Sequence, residues 1–255
     1  MRALPEWRLV AYDRAGLGRS DTGSGSSPAA SALSDLGSVI ESGNGAGGVI
    51  LVGHSLGGPL VRAFANDHPQ RVRALVLVDP RPEHLNARLH GMIDRTRRAH
   101  ARSLHPRLLL LLARRGLLAR MAGSFPRRGP ETLEPAERRR RAQLMASHRH
   151  LSTNELALAD DLDARLGAVD ADRTPPLWLI THDPSCGDSL PAEPKTEAER
   201  TTLETVWSEL QESLVRAAPQ GDLVVATGAG HLIPLERPDL VAAIIKDAIA
   251  STDCR

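Results

Sequence analysis

The feature that most narrows what this chain can fold into is a serine set between two kinds of periodicity. The apolar run Val49-Ile50-Leu51-Val52 leads straight into Gly53-His54-Ser55-Leu56-Gly57-Gly58. Leu60, Val61 and Phe64 then continue at helical spacing until His68-Pro69, where proline stops a helix. A strand, a tight glycine turn and a helix in that order lift a serine hydroxyl on strained backbone at the end of a sheet strand. Gly53 and Gly57 supply the small flanking residues such a turn needs, because neighbouring segments approach it closely. The helix start favours developing negative charge, so the Leu56 backbone N–H is placed to bind an oxyanion. The bland alternative is a glycine-rich turn with an idle serine, which leaves the flanking strand and helix a coincidence.

Four further runs read as strands, at residues 8–12, 74–78, 177–180 and 223–226. Helical patterns alternate with them. Leu33, Leu36 and Ile40 share one face before a glycine-rich breaker at 43–48, and Leu203, Val206, Trp207, Leu210 and Leu214 share another. Pro238 opens a last helix carrying Leu240, Val241, Ile244 and Ile245. This alternation predicts an α/β fold, a mostly parallel sheet flanked by helices. Between 83 and 174 no strand-like run occurs, and Leu/Arg-rich helical stretches are cut at Pro106, Pro126, Pro130 and Pro135. Residues 83–174 therefore read as an inserted α-helical cap, with 1–82 and 175–255 as the core.

A serine hydroxyl is a weak nucleophile and needs a base within hydrogen-bond reach. Of ten histidines, His231 in Gly228-Ala229-Gly230-His231 is the one placed for this, after the last strand run and before the final helix. A flexible loop there presents an imidazole over the carboxyl edge of the sheet, where ligands bind in open α/β folds. His54 adjoins the serine, but its side chain should point away. His90, His100, His105, His148 and His150 lie among arginines and read as solvated or capping groups. The acid that orients the imidazole should fall between Ser55 and His231 at a strand end. Asp183, three residues past Ile180, and Asp79, directly after Val78, both qualify, with Asp188 a weaker third. Asp79-Pro80 and Asp183-Pro184 are also ordinary turn sequences. The balance leans slightly to Asp183.

With these residues in view, the chain resembles the α/β-hydrolase superfamily, in particular the subgroup of proline iminopeptidases and small serine esterases. The motifs that carry the resemblance are the segment from Tyr12-Asp13-Arg14 to Gly18-Arg19-Ser20, the turn from Gly53 to Gly58, Leu75-Val76-Leu77-Val78-Asp79-Pro80, and Gly230-His231 followed by Glu236-Arg237-Pro238. The resemblance implies a serine hydrolase acting on a carboxylic ester or related acyl bond, without metal or organic cofactor. It also implies that 83–174 covers the site as a cap. Relatives carry about three strands before the one matching 8–12, and the third leads into a loop that supplies the second oxyanion N–H. The chain departs from that pattern. Its expected origins are a start codon placed too late, a fragment or degenerate copy, or a contracted sheet in which 8–12 pairs directly with 49–52. The competing functional expectation is accordingly a non-catalytic relative that keeps a small-molecule pocket.

The net charge of +1 conceals a strong asymmetry. Residues 88–150 hold sixteen arginines against Asp94, Glu131, Glu134 and Glu137, a local +12. Clustered arginine attracts phosphate, but Phe125 is the only aromatic in that stretch, so base stacking has little support. We expect no nucleic-acid partner. Arginines facing the cleft would instead favour a small acyl substrate bearing a carboxylate or phosphate. Cys186 and Cys254 offer neither a disulfide framework nor metal-ligand spacing. The apolar run at 108–113 is far short of the roughly 20 residues a spanning helix needs, and the first ten residues lack an export signal. The expectation is a soluble, cytoplasmic protein without a membrane partner; the oligomeric state is not encoded in any visible pattern.

Overall fold

A computed structural model of the chain describes residues 4–17, 20–21, 27–43, 47–102, 152–166, 175–186, 194 and 196–253. Four strands, β1 (Val49–His54), β2 (Val72–Val78), β3 (Leu177–His182) and β4 (Gly221–Ala226), form one sheet in the order β1-β2-β3-β4. All pairs are parallel, with Val52 opposite Val76, Val78 opposite Ile180, and Ile180 opposite Val224. Helices from the segments that connect successive strands pack together on one face of this sheet. That face holds α1 (Pro28–Ser42), α2 (Gly57–Asp67), α5 (Ser152–Leu166) and the end of α6 (Glu197–Arg216), whose Leu36, Phe64, Leu162 and Leu214 pack with Leu51, Leu75, Leu77 and Leu179. The opposite face is covered by α7 (Ile233–Glu236) and α8 (Pro238–Asp253), where Ile233, Ile244 and Ala248 meet Val76, Val78, Ile180 and Ala226. β2 is buried on both faces, as its unbroken apolar run predicts.

Helix starts follow their local chemistry. Ser27 caps α1 by accepting the Ala30 N–H, with Pro28 in the first turn, and Thr196 caps α6 by accepting the Glu199 N–H. Leu33, Leu36 and Ile40 are buried on α1, and Leu203, Val206, Trp207 and Leu214 on α6.

One expectation changes. Residues 8–12 form no strand. Val10 is 55% exposed, and of this segment only Tyr12 packs against the core. β1 is the edge of the described sheet, so the contracted pairing of 8–12 with β1 does not occur; without a neighbouring ladder an extended segment is not held as a strand. The stretch expected as a cap is helical where described, and its described helices make apolar contacts with neighbouring elements. Leu158, Leu162 and Leu166 of α5 belong to the main core with α1 and α2. α3 (Leu85–Arg88) and α4 (His90–Arg102) place Leu85, Leu89, Met92 and Ile93 against Leu203, Val206 and Trp207 of α6. Arg88, Arg95 and Arg97 pair with Glu209, Glu199 and Asp160. The remaining arginine-rich part, 103–151, lies outside the described residues. Among the described residues no helix is long and apolar enough to cross a membrane.

Candidate active site

Ser55 sits between β1 and α2 with φ 53°, and Asp79, directly after β2, has φ 41°. Non-glycine residues held at positive φ cost on the order of 1–3 kcal/mol each and persist only where their surroundings over-determine them. Here they support one another. The Ser55 N–H donates to the Val78 carbonyl at 3.1 Å, the Arg81 N–H donates to the Ser55 carbonyl at 2.9 Å, and the Asp79 N–H donates to the Ile180 carbonyl at 2.6 Å. The two strand ends are thus tied across the sheet edge.

Glycine is required at two positions of the turn. A Cβ on Gly53 would lie 2.5 Å from the Gly57 carbonyl oxygen, and one on Gly58 would lie 2.4 Å from Pro80 Cβ. Gly57, expected to be a packing glycine, meets nothing within 4 Å. The close approach is instead between Gly58 and Pro80, which seats the start of α2 on the Asp79-Pro80 turn. Leu56 is the N-cap residue of α2, so its N–H belongs to the unpaired donors of the helix start.

The imidazole of His231 bridges the two strained residues. Its Nε2 is 2.9 Å from Ser55 Oγ, and its Nδ1 is 2.6 Å from Asp79 Oδ2. With Nδ1–H donated to the carboxylate, Nε2 is left as the acceptor for the serine hydroxyl. His54 does point away from the serine: its Nε2 donates to the His231 backbone carbonyl at 2.8 Å. Burial, and then the neighbouring His231, push the His54 pKa down, against the hydrogen bond to the His231 carbonyl, which acts to raise it.

Asp79, and not Asp183, is the acid brought to His231. Asp183 lies one turn away on the loop after β3, where its Oδ1 accepts the Ser185 N–H and hydroxyl and its Oδ2 accepts the Gly228 N–H at 2.9 Å. These three donors, the Gly228 amide foremost, draw its pKa down to about 2. The slight preference for Asp183 is therefore corrected by geometry. Its carboxylate is consumed in turn bonds that hold the 228–230 loop, the bland role open to any Asp-Pro turn. Its N–H, donated to the Ala229 carbonyl at 2.9 Å, adds to that hold. Asp188 lies outside the described residues, as do His105, His148 and His150.

Asp79 is completely buried, where a lone carboxylate would be very costly. It is met by donors on all sides. Besides His231, it accepts His182 Nδ1 at 2.9 and 3.0 Å to its two oxygens, Trp207 Nε1 at 3.0 Å, and the Thr181 hydroxyl and His182 N–H at 3.3 Å. Burial alone raises its pKa, but the hydrogen bonds from His182 and His231 outweigh this and hold the carboxyl well below the usual range. His182 in turn reaches Glu204 Oε2 on α6 through Nε2 at 2.8 Å. Burial acts to lower its pKa, yet the bonds to Asp79 and Glu204 reverse the effect and raise it to about 9. None of Thr181, His182, Glu204 or Trp207 is among the residues that the sequence assigns to the site. The available signal was position: Thr181-His182 ends β3 at the same edge of the sheet as Ser55 and Asp79. Among the described residues no group of three or more His, Cys, Asp or Glu is arranged to hold a metal ion.

The family model for the alpha/beta hydrolase family matches residues 2–244. The chain belongs to that family. Among solved structures it is similar to a hydrolase from Pseudomonas aeruginosa, at 23% identity and TM-score 0.66 over 97% of this chain and 82% of that one. A thermophilic esterase from Thermogutta terrifontis aligns at 24% identity and TM-score 0.61, over 94% of this chain and 78% of that one. A probable hydrolytic enzyme from Pseudomonas aeruginosa aligns at 21% and 0.61, over 92% and 74%. At these identities the likeness is one of fold. No curated protein sequence matches the chain.

Proposed function

We propose that this alpha/beta hydrolase family member is a serine hydrolase that cleaves a carboxylic ester or related acyl bond. The observation that carries the reading is the unbroken hydrogen-bond chain from Ser55 Oγ through His231 to Asp79. Ser55 attacks the acyl carbon while His231 Nε2 takes the hydroxyl proton, and Asp79 stabilises the imidazolium that forms. The oxyanion gathers at the Leu56 N–H, at the positive end of α2. His231 then returns its proton to the leaving alcohol, and water, activated by the same imidazole, releases the acid. The esterase named among the similar structures supports the acyl-transfer class. An anionic substrate remains a proposal about arginines that mostly lie outside the described residues.

The test is labelling with a fluorophosphonate. A Ser55-dependent adduct and turnover of small p-nitrophenyl esters are expected; folded protein that shows neither would sink this reading in favour of the second one. That second reading is a non-catalytic family member that keeps the fold and a small-molecule pocket.

A further inference from the structure

Asp79 is held by more donors than the orientation of one imidazole requires. His182, 1% exposed, stands between two carboxylates, with Nδ1 against both oxygens of Asp79 and Nε2 against Glu204 Oε2. A carboxylate only accepts, so a ring that satisfies both neighbours carries a proton on each nitrogen. The groups facing it are Asp79 from the end of β2, Glu204 and the Trp207 ring (centroids 5.8 Å apart) from α6, and Asp183 beside it on the chain. His231 lies on the far side of Asp79. The other oxygen of Glu204, Oε1, is buried with no partner among the described residues, so the one hydrogen bond found for that side chain is the one to His182.

We propose that His182 and Glu204 are positioning residues for the Ser55 site: His182, anchored by Glu204, fixes the Asp79 carboxylate and takes up part of its charge, and thereby tunes how readily His231 accepts a proton. The proposal rests on the serine-hydrolase reading of that site. Carboxylate rotation about its terminal torsion is soft. Trp207 Nε1 and the Thr181 hydroxyl hold Oδ1, His182 Nδ1 spans both oxygens, and Oδ2 is left aimed at His231. A cation at hydrogen-bond distance from Asp79 also offsets part of the negative charge that the carboxylate presents to His231.

Glu204→Gln isolates the electrostatic part. The amide keeps the shape, and its NH₂ can donate to His182 Nε2, so the ring keeps its Nδ1–H toward Asp79 but loses its charge. The full charge of Asp79 then faces His231. The acid limb of the Ser55 fluorophosphonate-labelling rate, followed in the full chain between about pH 5 and 9, is expected to move up by about one unit. The alkaline plateau should stay within about threefold, since no group that touches the acyl centre has changed. His182→Gln, which retains a donor for Asp79, should move the limb the same way and serves if the first variant is poorly folded. Nitrogen-15 NMR of the resting protein should show protons on both His182 nitrogens near neutral pH and on Nδ1 alone in Glu204→Gln. A merely structural role would lower the melting temperature without moving the limb. An unmoved limb in folded variants, or a singly protonated His182 in the parent at neutral pH, overturns the proposal while labelling continues. Absence of Ser55 labelling overturns both this and the functional reading.

Discussion

Replacing Asp79 by Asn separates the two acids that the sequence left open. Asparagine keeps the shape but has one accepting oxygen, whereas the carboxylate accepts from His231 Nδ1 through Oδ2 and from Trp207 Nε1 through Oδ1, with His182 Nδ1 against both. Whichever way the amide is turned, its NH₂ meets an N–H donor. If it faces His231, the ring is driven to the other tautomer, with Nε2–H toward Ser55 and no lone pair to take the hydroxyl proton. Loss of the orienting carboxylate in such a triad costs about 10⁴ in kcat, or about 5.4 kcal/mol of transition-state stabilisation at 1.36 kcal/mol per decade. Asp183 makes no bond to His231, and its Gly228 contact can be kept by the one oxygen of Asn. Asp183→Asn is therefore expected to lower kcat by less than about tenfold, the scale of one weakened surface hydrogen bond. The assay is kcat on a p-nitrophenyl ester near pH 8, with the fluorophosphonate-labelling rate alongside and a thermal melt to confirm that both variants fold. A 10⁴-fold loss in Asp183→Asn with Asp79→Asn near the parent would refute the assignment.

Two further outcomes follow from the same contacts. Gly58→Ala drives a methyl group into Pro80 and should cost about 2 kcal/mol or more in urea unfolding, whereas Gly57→Ala, with open space around it, should be neutral or slightly stabilising; equal losses at the two positions would contradict the packing described. Stability should also depend on pH in both directions through one ion pair. Asp79 is depressed, so its contribution is in place above about pH 4 and lost as pH falls below that. His182 is raised to about 9, so its contribution is complete below about pH 6.5 and is lost, up to about 3 kcal/mol, as pH rises toward 9. Thermal melts should decline between those two pH values in the parent and much less in His182→Gln; a flat parent profile would count against the His182 ion pair.

How much of the site could be read in advance depends on how far apart its parts lie along the chain. Ser55 and its turn were legible because every cause is local: an apolar run, a glycine where a Cβ has no room, and a helix that begins within three residues. His231 was legible from its loop between the last strand run and Pro238. The fold class followed from alternating periodicities. The segment 8–12 failed as a strand because strand character needs a hydrogen-bonded neighbour, which a residue pattern cannot supply. The apolar helices within 83–174 were recognised, but whether they stand apart or join the core is set by what they meet. Leu162 meets the α1 and α2 side of the core, and Leu89 meets α6.

The sequence by itself determined the candidate nucleophile Ser55, the candidate base His231 and the parallel α/β scaffold, since each is written in neighbouring residues. Only the tertiary structure decided which aspartate meets His231. Asp79 and Asp183 both follow apolar strand runs and both precede proline; what separates them is where the 228–231 loop comes to rest. Its amide Gly228 takes Asp183 and its imidazole takes Asp79. The same is true of His182, whose burial between Asp79 and Glu204 exists only once α6 lies across the ends of β2 and β3. Hydrogen bonds over such separations depend on packing that fixes both partners at once, and no local pattern carries that information.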